Sequence, residues 1–256
     1  MIIVSGCSWS CSEFWSPLHP EMDCSWPKWF DHIETDEEVL CVGRSGYGND
    51  RIIDLAIEQV LNNPKVTNVI LALSDWTRFL VLDQTIHLDL HWRAKELAEK
   101  ENRTDDEELF HEKMQGHVRD NSKIVNVDKL EPWHFMHLIV DGIILKLKTI
   151  QELCKAKGIK LTVFQMIMPM RRQYFAKPVL NAVIKNKIFQ EMYTAKDVQF
   201  LNFPFFIELD GTSVEDDMMV RDDYRSMLIS EYDYHPNAKG NKFIGDWFNQ
   251  QVRSLS

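Results

Sequence analysis

Residue types that together perform acyl transfer stand near the two ends of this chain. Ser8 follows a short apolar run in MIIVSGCSWSCSEFW, and His235 stands in Tyr232-Asp233-Tyr234-His235-Pro236-Asn237. Asp233 precedes that histidine by two residues and Glu231 by four. A serine hydroxyl is a weak nucleophile until an imidazole takes its proton, and a carboxylate orients the imidazole and stabilises its cation. Such chemistry also needs donors for a developing oxyanion. Gly43-Arg44-Ser45-Gly46-Tyr47-Gly48-Asn49 offers backbone N–H groups in a glycine-rich loop. Ser74-Asp75-Trp76-Thr77-Arg78 adds a hydroxyl and a guanidinium. Cys7 is a second nucleophile type beside Ser8, but its place at a strand end points its side chain into the core.

These residues can act together only if the fold gathers them. Apolar, β-branched segments at 2–5, 39–43, 66–73, 159–167 and 198–203 read as strands. Helical spacing occupies 51–63, with Asn49 or Asp50 as its cap, and 134–157, which closes on Lys157-Gly158. Residues 180–196 also read as helix. So do 237–253, with Pro236 in the first turn and an apolar stripe of Phe243, Ile244, Trp247 and Phe248. Strands alternating with helices imply right-handed βαβ units. The expected fold is α/β, a flavodoxin-like three-layer α/β/α sandwich on a five-stranded parallel sheet, as one domain over 1–256. Ligands of such sheets bind outside the carboxyl ends of the strands. The polar stretches named above follow the ends of strands one, two and three, or precede the last helix. Residues 93–131, dense in Lys, Glu, Asp and Arg, read as a helical excursion or lid within an insertion spanning 80–131. Residues 207–234 are rich in acidic residues and tyrosine.

At these positions the chain resembles the SGNH (GDSL-type) hydrolases. Gly6-Cys7-Ser8-Trp9-Ser10 is similar to their first block, with Cys7 where an aspartate is commoner. Gly43–Asn49 with Asp50 resembles the second block, and Asp233-Tyr234-His235-Pro236-Asn237-Ala238-Lys239-Gly240 the last. Ser25-Trp26-Pro27 resembles a feature of small bacterial and phage members. The resemblance implies Ser8 as nucleophile, His235 as base and Gly46 as a backbone oxyanion donor; of the two available carboxylates, Asp233 and Glu231, Asp233 is the expected acid. It departs from the family at two places. The third block's Gly-x-Asn-Asp is replaced by Leu73-Ser74-Asp75-Trp76-Thr77-Arg78-Phe79, which lacks the asparagine donor, so Ser74 Oγ or a backbone amide is the expected substitute and Arg78 a further source of positive charge. The usual acid lies three residues before the histidine, where this chain has Tyr232. Substrate contacts are expected from Trp9, Asn49, Asp75 and Arg78. The implied function is a serine esterase acting on a small acyl ester, including one of a carbohydrate. The alternative is a catalytically degenerate binding or structural module, such as a virion component, with 93–131 as a protein-contact surface.

Composition excludes other classes. A formal net charge of −10 over 256 residues opposes general affinity for nucleic acid or anionic membranes. No apolar run approaches a membrane span, and the N-terminus lacks a basic n-region, so a cytoplasmic protein is expected. The five cysteines (7, 11, 24, 41 and 154) contain no C-x-x-C and read as reduced thiols. His87-x-x-x-His91 with Asp89 could ligate a metal, but amphipathic surface is the plainer reading, and His134-x-x-His137 fits a helix flank. No cofactor or metal is expected. Trp9, Trp15, Trp26, Trp29 and Trp76 could line an acyl slot or stack on a sugar, with core packing as the default.

Overall fold

The strands fall where apolar residues run together: β1 (Ile2–Gly6), β2 (Val39–Cys41), β3 (Asn68–Leu73), then a hairpin of β4 (Arg78–Val81) and β5 (Gln84–His87), and finally β6 (Lys160–Gln165) and β7 (Val198–Phe200). The computed structural model describes residues 1–81, 84–124, 132–169, 183, 185–205, 207 and 210–254. Five strands form one sheet in the order β2-β1-β3-β6-β7, every pair parallel. All of β1 is buried, and β3 and β6 are buried beyond their first residue. Continuous rather than alternating burial is the mark of a parallel sheet covered on both faces.

The covering helices are α1 (Asn49–Asn62), α2 (Leu88–Glu99), α3 (Asp105–Ile124), α4 (Pro132–Lys157), α5 (Lys187–Thr194), α6 (Val214–Met219) and α7 (Ala238–Ser254). α1 packs against α4, β1 and β3, and α4 against α5 and β6. The other face is aromatic. Phe164 of β6 meets Trp29, Trp247 and Phe248 at ring-centre distances of 5.6, 5.6 and 5.8 Å, which holds α7 on the sheet. The architecture is thus the expected three-layer sandwich.

Boundaries differ from the sequence reading for identifiable reasons. α1 begins at Asn49 with Gly48 as its N-cap and no capping side chain. Neither Asn49 nor Asp50 caps it. Asn49 is spent on Ser74, and Asp50 accepts the Leu80 N–H at 2.6 Å. Pro236 lies outside α7, pairing with Leu228 in an isolated bridge, and the Asn237 Oδ1 accepts the N–H groups of Lys239 and Gly240 instead. α5 starts at Lys187 because the Asn186 side chain accepts the Phe189 N–H; residues 180–182 and 184 lie outside the described residues. The charged excursion is helical in α2 and α3, and it is preceded by a hairpin, β4–β5, that the sequence reading did not anticipate. Residues 125–131 are likewise outside the description.

The sheet order reverses between β1 and β3. Crevices at the carboxyl ends of strands form at such switch points. β1 and β3 deliver Ser8 and the Ser74–Arg78 stretch there.

Candidate active site

β1 ends at Gly6, and Ser8–Ser10 closes a single 3-10 turn through Ser10 N–H to Cys7 O (2.8 Å) and Cys11 N–H to Ser8 O (3.3 Å). The turn is clamped from below, because Trp29 Nε1 donates to Ser10 Oγ at 3.1 Å. The fully buried Cys7 points into the core, while Ser8 is half-buried and faces a cavity of about 320 Å³.

The loop before α7 brings His235 to Ser8. Ile229 N–H donates to His235 O, and Asn237 Nδ2 donates to the Ser226 and Leu228 carbonyls, so the loop's two limbs are tied together. Within it, the Asp233 Oδ1 accepts the backbone N–H of His235 at 3.1 Å. That is an Asx turn, in which the side chain bonds the backbone two residues on. The same oxygen lies 2.5 Å from His235 Nδ1, and His235 Nε2 lies 2.7 Å from Ser8 Oγ. A carboxylate two residues before the histidine therefore reaches its ring by folding back on itself. Glu231 instead pairs with Arg225 at 3.2 Å on the surface.

With Nδ1–H donated to Asp233, Nε2 is the acceptor for the Ser8 hydroxyl. Asp233 is 3% exposed. Burial pushes its carboxyl up, but the bond and charge of His235, the Ser16 hydroxyl and the His235 backbone N–H together hold it below the ordinary aspartate value. Ser16, itself fully buried, donates to Asp233 Oδ2 and accepts the His19 N–H. Phe14 lies against the His235 ring at 4.4 Å. Nothing in the sequence marks Ser16 or Phe14 among their serine- and aromatic-rich neighbours.

Gly46 has a φ of +82°, which only glycine adopts without strain, and it shares a cavity with Ser8. Of the residues expected to touch substrate, Trp9 and Arg78 line it as well. Asn49 and Asp75 do not. Asn49 is fully buried and clasps Ser74, donating to its carbonyl at 3.1 Å and accepting its N–H at 2.6 Å, which fixes the end of β3 against α1. Asp75, also fully buried, accepts the Thr77 N–H and hydroxyl. Ser74 is not on the cavity wall either; it is buried and its Oγ accepts from Arg78 Nη1 at 3.1 Å.

No protein-family model matches the chain, and no curated protein matches it. Among solved structures it is similar to the psychrotrophic esterase EstA from Pseudoalteromonas sp., in a form inhibited by monoethylphosphonate. The TM-score is 0.50 at 11% identity, over 99% of this chain and 97% of that one. It is also similar to a catalytic mutant of Axe2, an acetylxylan esterase from Geobacillus stearothermophilus, with a TM-score of 0.50 at 10% identity over 98% and 93% of the two chains. The chain has the fold of these esterases.

The insertion supplies another part of the cavity wall. Phe110, Lys113 and Met114 of α3 face it, with His87 from the end of β5. Phe110 and Met114 pack with Ala94 and Leu18, so the excursion is seated on the loop that carries Ser16. His87 and His91 are 8% and 2% exposed, which overturns their reading as amphipathic surface. Among the described residues no group of three metal-ligating side chains comes together. The Asp89 and His134 side chains lie outside the description, and His137 is exposed. Trp29 and Trp76 belong to the core, whereas Trp15 is 64% exposed at the cavity rim. Among the described residues, no helix is long and apolar enough to cross a membrane.

Proposed function

We propose that the protein is a serine esterase of the SGNH type, with Ser8 as nucleophile, His235 as general base and acid, and Asp233 as the orienting carboxylate. The observation that carries this reading is the unbroken run Ser8 Oγ–His235 Nε2 (2.7 Å) and His235 Nδ1–Asp233 Oδ1 (2.5 Å) at the mouth of a cavity. As Ser8 Oγ bonds the ester carbonyl carbon, its proton passes to Nε2 and the imidazolium is stabilised by Asp233. The oxyanion faces the N–H groups of Ser8 and Gly46. The intermediate collapses as His235 returns the proton to the departing alcohol. Water then repeats the sequence on the acyl-enzyme, using the same base.

The cavity favours a short acyl ester. Trp9, Phe14, Leu18, Phe110, Met114 and Ile167 give it an apolar wall, and about 320 Å³ leaves room for a small acyl group and part of its alcohol. Trp15 at the rim offers a face on which a sugar ring could stack, which supports a carbohydrate alcohol.

The test is labelling with a fluorophosphonate, with the adduct mapped by mass spectrometry. Covalent modification of Ser8 that disappears in Ser8→Ala and His235→Ala is the expected result. Absence of labelling in folded wild-type protein would overturn the reading and favour a binding module that has kept the fold without the chemistry.

A further inference from the structure

The β4–β5 hairpin brings into the site a side chain for which the acyl-transfer scheme has so far had no use. We infer that His87 is the side-chain oxyanion donor of this site, occupying the role left open by the missing third-block asparagine. The inference rests on the esterase reading and extends it to the identity of a further catalytic residue.

Four observations carry it. First, the ring lies beside the oxyanion loop: His87 Nε2 is 3.6 Å and Cε1 3.8 Å from the point where a Cβ on Gly46 would stand. Second, Nε2 is on the side facing Gly46 while Nδ1 is buried in the protein, and the residue lines the same cavity as Ser8 and Gly46. Third, the hairpin is fastened to the loop it serves. Leu80 N–H donates to Asp50 Oδ2, and the Arg78 carbonyl comes within 2.7 Å of where a Gly48 Cβ would lie, so only glycine admits so close an approach. Arg78 and His87 are register partners across the hairpin, and the buried Phe79 and Ile86 anchor it in the core. Fourth, Ser74, the side chain that the sequence placed in this role, is fully buried behind Arg78 and does not reach the cavity wall.

A donor held 8% exposed in a packed hairpin needs no reorganisation when charge develops, which is what makes oxyanion stabilisation large. Both the Nε2–H tautomer and the imidazolium donate from this position. His87 is not a second base for Ser8, whose hydroxyl is already bonded to His235. No bond to His87 forms or breaks; it polarises the acyl oxygen and holds the oxyanion until collapse.

The experiment uses the full chain, with p-nitrophenyl acetate for steady-state rates and fluorophosphonate for the rate of Ser8 modification. His87→Phe keeps a ring without a donor, and His87→Gln places an amide N–H near the original Nε2. His87→Phe is expected to lower kcat by about 10²–10³-fold with KM changed less than about threefold, the size seen when one oxyanion donor is lost. His87→Gln should recover at least about tenfold of that. Thermal unfolding checks that each variant is folded, and the Gln variant carries the test if the Phe variant is not. Wild-type activity with His87→Phe within about threefold in kcat would overturn this inference alone. So would a loss confined to KM, or folded Gln and Phe variants equally impaired. A wild type that neither turns over nor labels would overturn the esterase reading, and this one with it.

Discussion

Replacing Asp233 by Asn keeps the shape of the side chain and removes its charge, so it isolates what the carboxylate contributes. In the native site Oδ1 accepts from both nitrogens that His235 offers, and Oδ2 accepts from Ser16. The charge matters most when His235 becomes an imidazolium. Two unit charges roughly 4 Å apart at an effective dielectric of about 20 attract by about 4 kcal/mol. That corresponds to about 10³-fold in rate, and an amide that offers N–H to Nδ1 would also favour the wrong tautomer, taking the loss toward 10⁴-fold. The assay is p-nitrophenyl acetate hydrolysis for wild type, Asp233→Asn and Glu231→Gln, with kcat and KM separated and Ser8 phosphonylation rates in parallel. The expected pattern is a loss of about 10³–10⁴-fold in kcat for Asp233→Asn and less than about twofold for Glu231→Gln, whose native partner is a surface arginine. An Asp233→Asn enzyme retaining a tenth of wild-type kcat would refute the argument and leave a Ser8–His235 dyad. A matching loss in Glu231→Gln would move the acid to the other carboxylate.

Two further outcomes follow from the same contacts. Asn49→Ala strands the Ser74 N–H in a dry interior, while the Ser74 carbonyl keeps Gln165 Nε2 at 2.8 Å, and should cost roughly 1–3 kcal/mol in urea unfolding, with KM unchanged; a raised KM at native stability would mean that Asn49 meets substrate after all. Although burial acts to raise the Asp233 carboxyl, its His235 and Ser16 contacts hold it below 3.8, so its stabilising contribution is complete above the unfolded value and is lost as pH falls through the lower folded value. The stability gap between wild type and Asp233→Asn should therefore shrink as pH falls below about 4. A gap that goes on widening below about pH 4 would contradict the ionised state assigned to Asp233.

The sheet was legible because its strands are buried on both faces, so each reads as a short apolar run whatever its neighbours do. That Ser8, Gly46 and His235 would meet at one cavity was legible for a related reason: the first two sit just beyond strands and the third just before the last helix. What stayed hidden depends on contacts between distant parts of the chain. Ser16 reaches an aspartate 217 residues away, and no local pattern distinguishes it from Ser10 or Ser12. Asn49 looked like a helix cap or a substrate ligand because both are exposed roles, and only the close passage of β3 over α1 turns its amide inward. The hairpin was hidden by its own brevity, since four-residue strands beside a charged segment carry little periodicity. His87 was then read with His91 as a spaced pair, although one ends a strand and the other lies in the following helix.

Ser8 and His235 are separated by 227 residues of chain. During synthesis at about 5–20 residues per second, Ser8 emerges roughly 10–45 s before His235 exists. Through that interval the growing polypeptide holds an ordinary alcohol with no base to activate it. On the proposed mechanism the same is true of any chain whose α7 is not docked through Trp247 and Phe248, because the Asp233–His235 turn leads straight into that helix. Reactivity at the first strand would then depend on the packing of the last helix.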